Sequence, residues 1–220
     1  MQFVYDENAS QELLTIRDEN YRYLFRARRL KVGQSVGFRN LFDDVLYRYL
    51  IEDIGKKEAT LRLRDATKTD KANLKTLHLI WCIIDPKIIY STLPLLNQMG
   101  VSKISFVYCD RSQKNFKIDF EKCKKILINS CQQCGRTNLM EIEILDNLED
   151  VLKKYHDFAV LDFGGETSWQ EISSCLIGCE GGFSEYERGK LQNHYKIGFQ
   201  TSLILKSETA TVTIASKLLI

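Results

Sequence analysis

Long apolar runs are missing from this 220-residue chain. No stretch approaches 18 uninterrupted apolar residues, which excludes a membrane-spanning helix. The opening MQFVYDENAS lacks both the basic segment and the apolar core of a secretory signal, so the expectation is a cytoplasmic protein with no membrane partner. A strong charge of one sign is also missing: 31 Lys and Arg stand against 29 Asp and Glu, a net charge of +2, so the whole chain is not a polycation. Neither G-x-G-x-x-G nor Gly-Lys-Ser/Thr occurs, which removes the main support for dinucleotide and nucleoside triphosphate sites. There is no internal repeat and no low-complexity segment.

Metal-ligand patterns are equally sparse. The three histidines, His78, His156 and His194, lie far apart, and Cys131 and Cys134 form a single C-x-x-C with no second pair or histidine nearby. A structural zinc site needs four ligands, so no metal is expected. The seven cysteines (82, 109, 123, 131, 134, 175 and 179) are odd in number and set in apolar surroundings, which fits reduced, buried thiols rather than a disulfide framework.

What is present is a 44% apolar content, enough for a real core in one large domain or two small ones. The first seventy residues read as a small β-rich module, with strand-like pieces at 36–38, 45–54 and 59–64. One helix is expected over 18–30, where Arg22, Arg26 and Arg29 share a face. The run YRYLFRARRLK holds Arg22, Arg26, Arg28, Arg29 and Lys31 with no acid, interleaved with Tyr21, Tyr23 and Phe25. A nucleic-acid footprint and a plain solvated helix face both fit that spacing.

The polar stretch DATKTDKANLK (65–75) reads as a connection, and a domain boundary is placed near residue 72. Beyond it strands alternate with helices. LHLIWCIID (77–85) is continuously apolar, as for a strand covered on both faces, and Asp85-Pro86 supplies a cap and first-turn proline for a helix ending before Gly100, which Pro94 should kink or split. Strands are expected at 101–109, 140–145, 158–162 and 175–178, and helices at 119–134, stopped by Gly135, and at 147–154. Repeated units of this kind imply an α/β domain with a mainly parallel sheet.

Residues 177–187 read IGCEGGFSEYE. Gly181-Gly182 after a strand lets the backbone turn tightly and approach a ligand, and Ser184 to Glu187 is a capping box that opens a helix. Ligands in open α/β sheets gather at the carboxyl ends of strands, so the turn is a binding-site candidate; a glycine pair needed only to turn a corner fits as well.

This phrase resembles the IGPEGGFSxxE motif of the ribosomal RNA small subunit methyltransferase E family, part of the knotted SPOUT class of S-adenosylmethionine enzymes. ILKSETA (204–210) is similar to that family's VLRxETA, and SCQQCGR (130–136) to its A-x-E-Q-x-G-R, while MGV (99–101) and DRS (110–112) fall where the family has LGV and ER. RARRLKVGQSV resembles the family's LRxxxGD segment. Departures are Cys179 at the motif proline, Leu95 and Leu203 where a lysine and an arginine are expected, and Lys206 for an arginine.

The resemblance implies a PUA-like, RNA-binding β-barrel domain at 1–72 and a SPOUT α/β domain with a deep trefoil knot at 73–220. It implies a homodimer that transfers a methyl group from S-adenosylmethionine to N3 of a uridine in 16S ribosomal RNA, the rRNA or small subunit being the partner. Main-chain groups around Leu161, Gly164, Ile177 and Gly178 would hold the cofactor together with Gly181, Gly182, Leu203, Leu205 and Thr209. Glu180 and Glu208 would orient the base or take its proton; retention of Glu180 by backbone N–H groups and a capping role for Glu208 fit equally. Arg136 would clamp a phosphate or the uracil oxygens, or else neutralise an acid. Phe183 either receives an unstacked base or fills the core. The largely apolar final helix, TATVTIASKLLI, suits burial against a partner or within one subunit. The alternative is a non-catalytic RNA-binding protein on a degenerate SPOUT scaffold, in keeping with the missing lysine and arginine.

Overall fold

The computed structural model describes residues 2–69, 75–169 and 171–220. Contacts divide the chain into two units, one of residues 1–72 with 128–139, the other of 73–127 with 140–220. The expected boundary near residue 72 lies outside the described residues.

In the first unit, β1 (Val4–Tyr5), β2 (Leu13–Ile16), β3 (Ser35–Arg39), β4 (Val45–Ile54) and β5 (Ala59–Lys68) form a sheet in the order β1-β3-β4-β5-β2. Every pair is antiparallel except β1 with β3. Alternation sets the faces: Tyr47, Tyr49 and Ile51 of β4 and Ala59 and Leu61 of β5 point into the core, while Arg62 lies outside between Glu12 and Glu52. Strand β5 runs four residues beyond the expected Arg64, because the ten-residue β4 continues to offer it partners, up to Val45 opposite Lys68.

The helix expected over 18–30 is shorter and of two kinds. α1 (Asp18–Tyr21) passes directly into a π-helical turn, Arg22–Ala27, closed by the Arg28 N–H donating to Tyr23 O at 2.9 Å. The wide turn lets the adjacent Leu24 and Phe25 both enter the core, which a 3.6-residue turn serves less well. Arg29 lies beyond the end of this turn with φ +55°, so the common face expected of Arg22, Arg26 and Arg29 does not extend to it. All three are exposed, and Arg26 and Arg28 lie over the rings of Tyr21 and Tyr23.

Residues 128–139, which the sequence places with the second domain, group with the first unit. Cys131 packs with Phe3 and Leu41, and Gln132 accepts from the backbone N–H groups of Tyr5 and Gln2.

The second unit is α/β. β6 (His78–Cys82), β7 (Lys103–Val107), β8 (Glu141–Leu145), β9 (Ala159–Glu166), β10 (Ser174–Ile177) and β11 (Lys196–Ile197) form a parallel sheet in the order β11-β9-β10-β6-β7-β8. β6 is central and buried along nearly its whole length, as its unbroken apolar run requires. α2 (Pro86–Met99) opens with the Asp85 side chain accepting from Lys87 N–H at 2.8 Å and closes at Gly100 with φ +96°. Pro94 lies inside α2 without dividing it. α3 (Phe120–Cys134), whose residues from 128 onward group with the first unit, α4 (Leu148–Lys154), α5 (Glu185–Lys190) and α6 (Ser207–Leu219) complete the set; α6 packs against α2 and buries Ile214 and Ala215.

The thiol expectation needs one correction: Cys82 and Cys109 form a disulfide. Their strands are neighbours, with Cys82 in register with Val107, so Cys109 emerges beside the end of β6. Cys123 and Cys175 are free and buried, and burial pushes their thiols up to about 11 and about 12, which keeps them protonated and unreactive. Among the described residues no group of His, Cys, Asp and Glu converges as a metal site, and no helix is long and apolar enough to cross a membrane.

A polar chain crosses β10, β6, β7 and β8. Ser105 Oγ donates to Glu143 Oε1 at 2.5 Å, so the 2.7 Å contact between Ser105 Oγ and His78 Nε2 is donated by the imidazole, and His78 Nδ1 accepts from Ser174 Oγ at 3.2 Å. Burial, with Lys103 nearby, lowers the His78 pKa to about 4; burial alone would raise Glu143, but hydrogen bonds from Lys154, Ser105 and Tyr155 hold it at about 2. The unfolded chain takes up the imidazole proton near pH 6.5 and the folded chain only near 4. Stability should therefore fall by about 2 kcal/mol as pH drops through that window, allowing for partial exposure of the ring. Glu143 adds a further loss below about pH 4.5. Urea denaturation of wild type and His78→Gln between pH 7 and 4 checks this: the variant should lose most of the slope above pH 4.5.

Candidate active site

The carboxyl ends of β9 and β10, together with the segment that follows β11, form an open cavity of about 180 Å³. All of its lining belongs to the second unit. Three main-chain features shape it.

The first is the turn after β10. Gly182 N–H donates to Cys179 O at 2.9 Å and Gly182 has φ +64°, a conformation that disfavours a side chain. A Cβ on Gly178 would stand 3.2 Å from the Cα of Gly182, so the two glycines lie against each other. Gly178 O accepts from Ser207 Oγ at 2.6 Å, and Ser207 accepts from the buried Trp81 Nε1–H at 2.8 Å. This chain of bonds ties the turn to the start of α6 and to the central strand.

The second feature is the bend in β9 at Asp162-Phe163-Gly164-Gly165. Gly164 has φ +73° with open space where a Cβ would be. Gly165 is pressed against β11, and its Cβ would lie 2.8 Å from Ile197 Cα and closer still to the carbonyl of Ile197. The third is the segment 199–205, which brings Phe199, Thr201, Leu203, Ile204 and Leu205 to the cavity.

α5 buttresses the turn. Ser184 accepts from Glu187 N–H and Glu187 Oε2 accepts from Ser184 N–H, which completes the capping box. Glu187 Oε1 also accepts from Asp110 N–H at 2.9 Å, and Arg111 Nη1 donates to Gly181 O at 2.5 Å, so the loop after β7 clamps the glycine turn from outside.

Of the residues singled out in the sequence, Leu161, Gly164, Ile177, Gly178, Glu180, Gly182, Leu203 and Leu205 line the cavity. Gly181 faces away from it, under Arg111, and Thr209 is an exposed residue of α6. Glu208 sits in the first turn of α6 and is not a lining residue; its Oε2 is buried with no hydrogen-bond partner among the described residues. Phe183 is buried and reaches the cavity. Arg136 belongs to the first unit, where its Nε donates to Asn138 O at 3.0 Å and burial lowers its pKa. Arg22, Arg26, Arg28, Arg29 and Lys31 are exposed there as well. Cys179, at the position of the family's proline, is buried; burial raises its pKa, which makes it a neutral packing residue.

Sequence reasoning missed Asp162 and Arg188. Both line the cavity and form an ion pair in which the Asp162 side chain is only 7% exposed. Asp162 stood in view between Leu161 and Gly164, and Arg188 one helical turn after the Ser184 cap; no local pattern joins residues 26 positions apart.

The second unit is thus an α/β domain with a glycine-walled cavity at the carboxyl edge of its parallel sheet, in a chain that also holds a separate β unit. The family model for an RNA methyltransferase domain matches residues 70–219, and that for an RNA methyltransferase PUA domain matches residues 16–64. A ribosomal RNA small subunit methyltransferase E from Helicobacter pylori is 45% identical over 222 residues, covering 98% of both chains. The chain belongs to the ribosomal RNA small subunit methyltransferase E family.

Solved structures share the fold. A putative methyltransferase from Legionella pneumophila in complex with the bound cofactor SAM superposes with a TM-score of 0.81 at 24% identity, covering 99% of this chain and 96% of that one. A ribosomal RNA small subunit methyltransferase E from Neisseria gonorrhoeae, bound to S-adenosyl methionine, gives 0.79 at 17% identity, covering 99% and 96%.

Proposed function

We propose that this chain is a cytoplasmic enzyme that transfers a methyl group from S-adenosylmethionine to N3 of a uridine in 16S ribosomal RNA. Family membership and the main-chain cavity support this reading together; the cavity carries it. Its lining joins the strand ends at Leu161, Ile177 and Gly178 to the apolar side chains of Leu203, Leu205 and Phe183, a combination of main chain and apolar surface that suits a purine and a thioether. Glycine at 164 and 182 leaves open space at the lining for a bulky ligand, and Gly178 lets the turn at Gly182 pack close beneath it. The cofactor, when bound, supplies a methyl group made electrophilic by the sulfonium.

The acceptor must be deprotonated and held in line. N3 of uridine is a weak acid, so a carboxylate at the cavity and a fixed geometry are the two levers this chain supplies. Glu180, an exposed residue of the lining, is the carboxylate we assign to accept that proton. Asp162 is already committed to Arg188, which fixes both groups and leaves the remaining N–H groups of the guanidinium for the ligands. Glu208 acts through the α6 start, and Arg136 contributes from the first unit to grip the RNA backbone. The exposed Arg22, Arg26, Arg28, Arg29 and Lys31 extend that grip.

The trefoil knot and the homodimer are part of the proposal. The sheet order, with β10 between β9 and β6 and the chain returning past both strand ends at 199–205, supports threading. Leu203 and Ile204, 73% and 81% exposed, give an apolar surface for a second copy. Mass spectrometry of 16S rRNA nucleosides from cells with and without the gene tests the activity: one N3-methyluridine should disappear on deletion. Its persistence would overturn the proposal.

A further inference from the structure

The catalytic unit carries a second basic strip, separate from the arginines of the first unit. Between residues 110 and 125 six basic residues stand against three acidic ones, so this short segment holds more net charge than the whole chain. Two of the three acids are engaged: Asp110 accepts from Ser184 Oγ, and Asp119 accepts from the N–H of Lys122 at the start of α3.

Three of the lysines are set on tyrosine rings. The ammonium groups of Lys114 and Lys117 lie 5.8 and 5.5 Å from the ring centre of Tyr108, and that of Lys122 lies 4.2 Å from the ring centre of Tyr90. The rings are themselves fixed, since Tyr108 OH donates to Phe116 O at 2.6 Å and Tyr90 OH accepts from Asp119 N–H at 2.9 Å. Among the described residues these ammonium groups have no carboxylate at ion-pair distance, and all three lysines are exposed. They are held in place yet uncompensated, so less side-chain freedom is lost when an anion arrives.

The strip begins at the cavity wall. Arg111 is bonded to Gly181 O, and the next residue, Gly182, lines the cavity. A polyanion lying along the strip is thereby led to the mouth where the reacting nucleotide must enter.

We infer that Lys114, Lys117 and Lys122, set on Tyr108 and Tyr90 and continued by Arg111, form a phosphate-backbone contact surface that holds the substrate RNA beside the cavity. The inference rests on the methyltransferase reading and names where on the catalytic unit the RNA lies. Its partner is RNA because a continuous phosphate chain flanks the nucleotide that must reach the cavity.

The test is filter binding of a 16S rRNA transcript across a salt series. The triple variant Lys114→Ala/Lys117→Ala/Lys122→Ala should bind roughly tenfold more weakly at moderate salt, and its log–log salt slope should shrink by about 2. Replacement of all three by Arg should restore both. A control triple on exposed lysines elsewhere in the second unit, Lys75→Ala/Lys153→Ala/Lys217→Ala, removes equal charge and should retain the wild-type slope. An unchanged slope in the first variant, or an equal loss in the control, would overturn the surface. Methyl transfer and calorimetric S-adenosylmethionine binding by the wild type, measured on the same preparations, report separately on the methyltransferase reading; cofactor affinity of the Lys→Ala triple should equal that of the wild type.

Discussion

Gly165→Ala should be the most damaging single methyl group in the catalytic unit. Its Cβ would stand 2.8 Å from Ile197 Cα and nearer to the Ile197 carbonyl, all backbone atoms that cannot swing aside. The approach is reciprocal, because a Cβ on Gly198 would meet Gly165 O at 2.9 Å. The contact is local to the edge pairing of β11 with β9, where Gly198 N–H also donates to Glu166 O at 2.9 Å. Forcing these strands apart is overpacking without a rotamer that relieves it. The expected cost is about 3–4 kcal/mol. For a chain of this size that lowers Tm by roughly 10 °C, read by thermal denaturation. Gly189→Ala is the control: nothing lies near its Cβ, so Tm should barely move.

Gly182→Val should remove activity while leaving the fold in place. Gly182 has φ +64°, where a β-branched residue is strained, and the new side chain adds bulk beside the cavity, with Arg188 Nη2 3.8 Å from the Cβ position. The strain costs about 1–2 kcal/mol, which α5 and its capping box can absorb, but the cavity wall is no longer bare. Methyl transfer to 16S rRNA should fall at least a hundredfold with Tm within a few degrees of wild type. Gly181→Ala makes the contrast, since its Cβ meets only the flexible side chain of Arg111, at 3.1 Å, outside the cavity. It should retain most of the activity.

The features legible in the sequence were those written in local backbone chemistry. Asp85-Pro86 and Gly100 bound α2, Gly135 at φ +85° stops α3, and Ser184 with Glu187 caps α5, because each signal and its effect lie within one turn of helix. The cavity was legible for a related reason: a site built from bare main chain leaves glycines behind, as at 164, 178 and 182.

Features that needed the third dimension were not legible. The Cys82–Cys109 bond depends on β6 and β7 being neighbours, and the Asp162–Arg188 pair on β9 ending beside α5. The π-helical turn at Arg22–Ala27 reflects the burial of two adjacent apolar residues, a demand that periodicity cannot express. The segment that carries Arg136, 128–139, follows a helix of the second unit in sequence but groups with the first, and only long-range contacts reveal that.

The account turns on whether bare peptide groups around Gly178 and Gly182 form the S-adenosylmethionine site, and calorimetric titration of the purified chain answers this most directly. Wild type and Gly181→Ala should bind S-adenosylmethionine with micromolar affinity, whereas folded Gly182→Val should give no measurable heat. Binding by Gly182→Val equal to that of the wild type would contradict it.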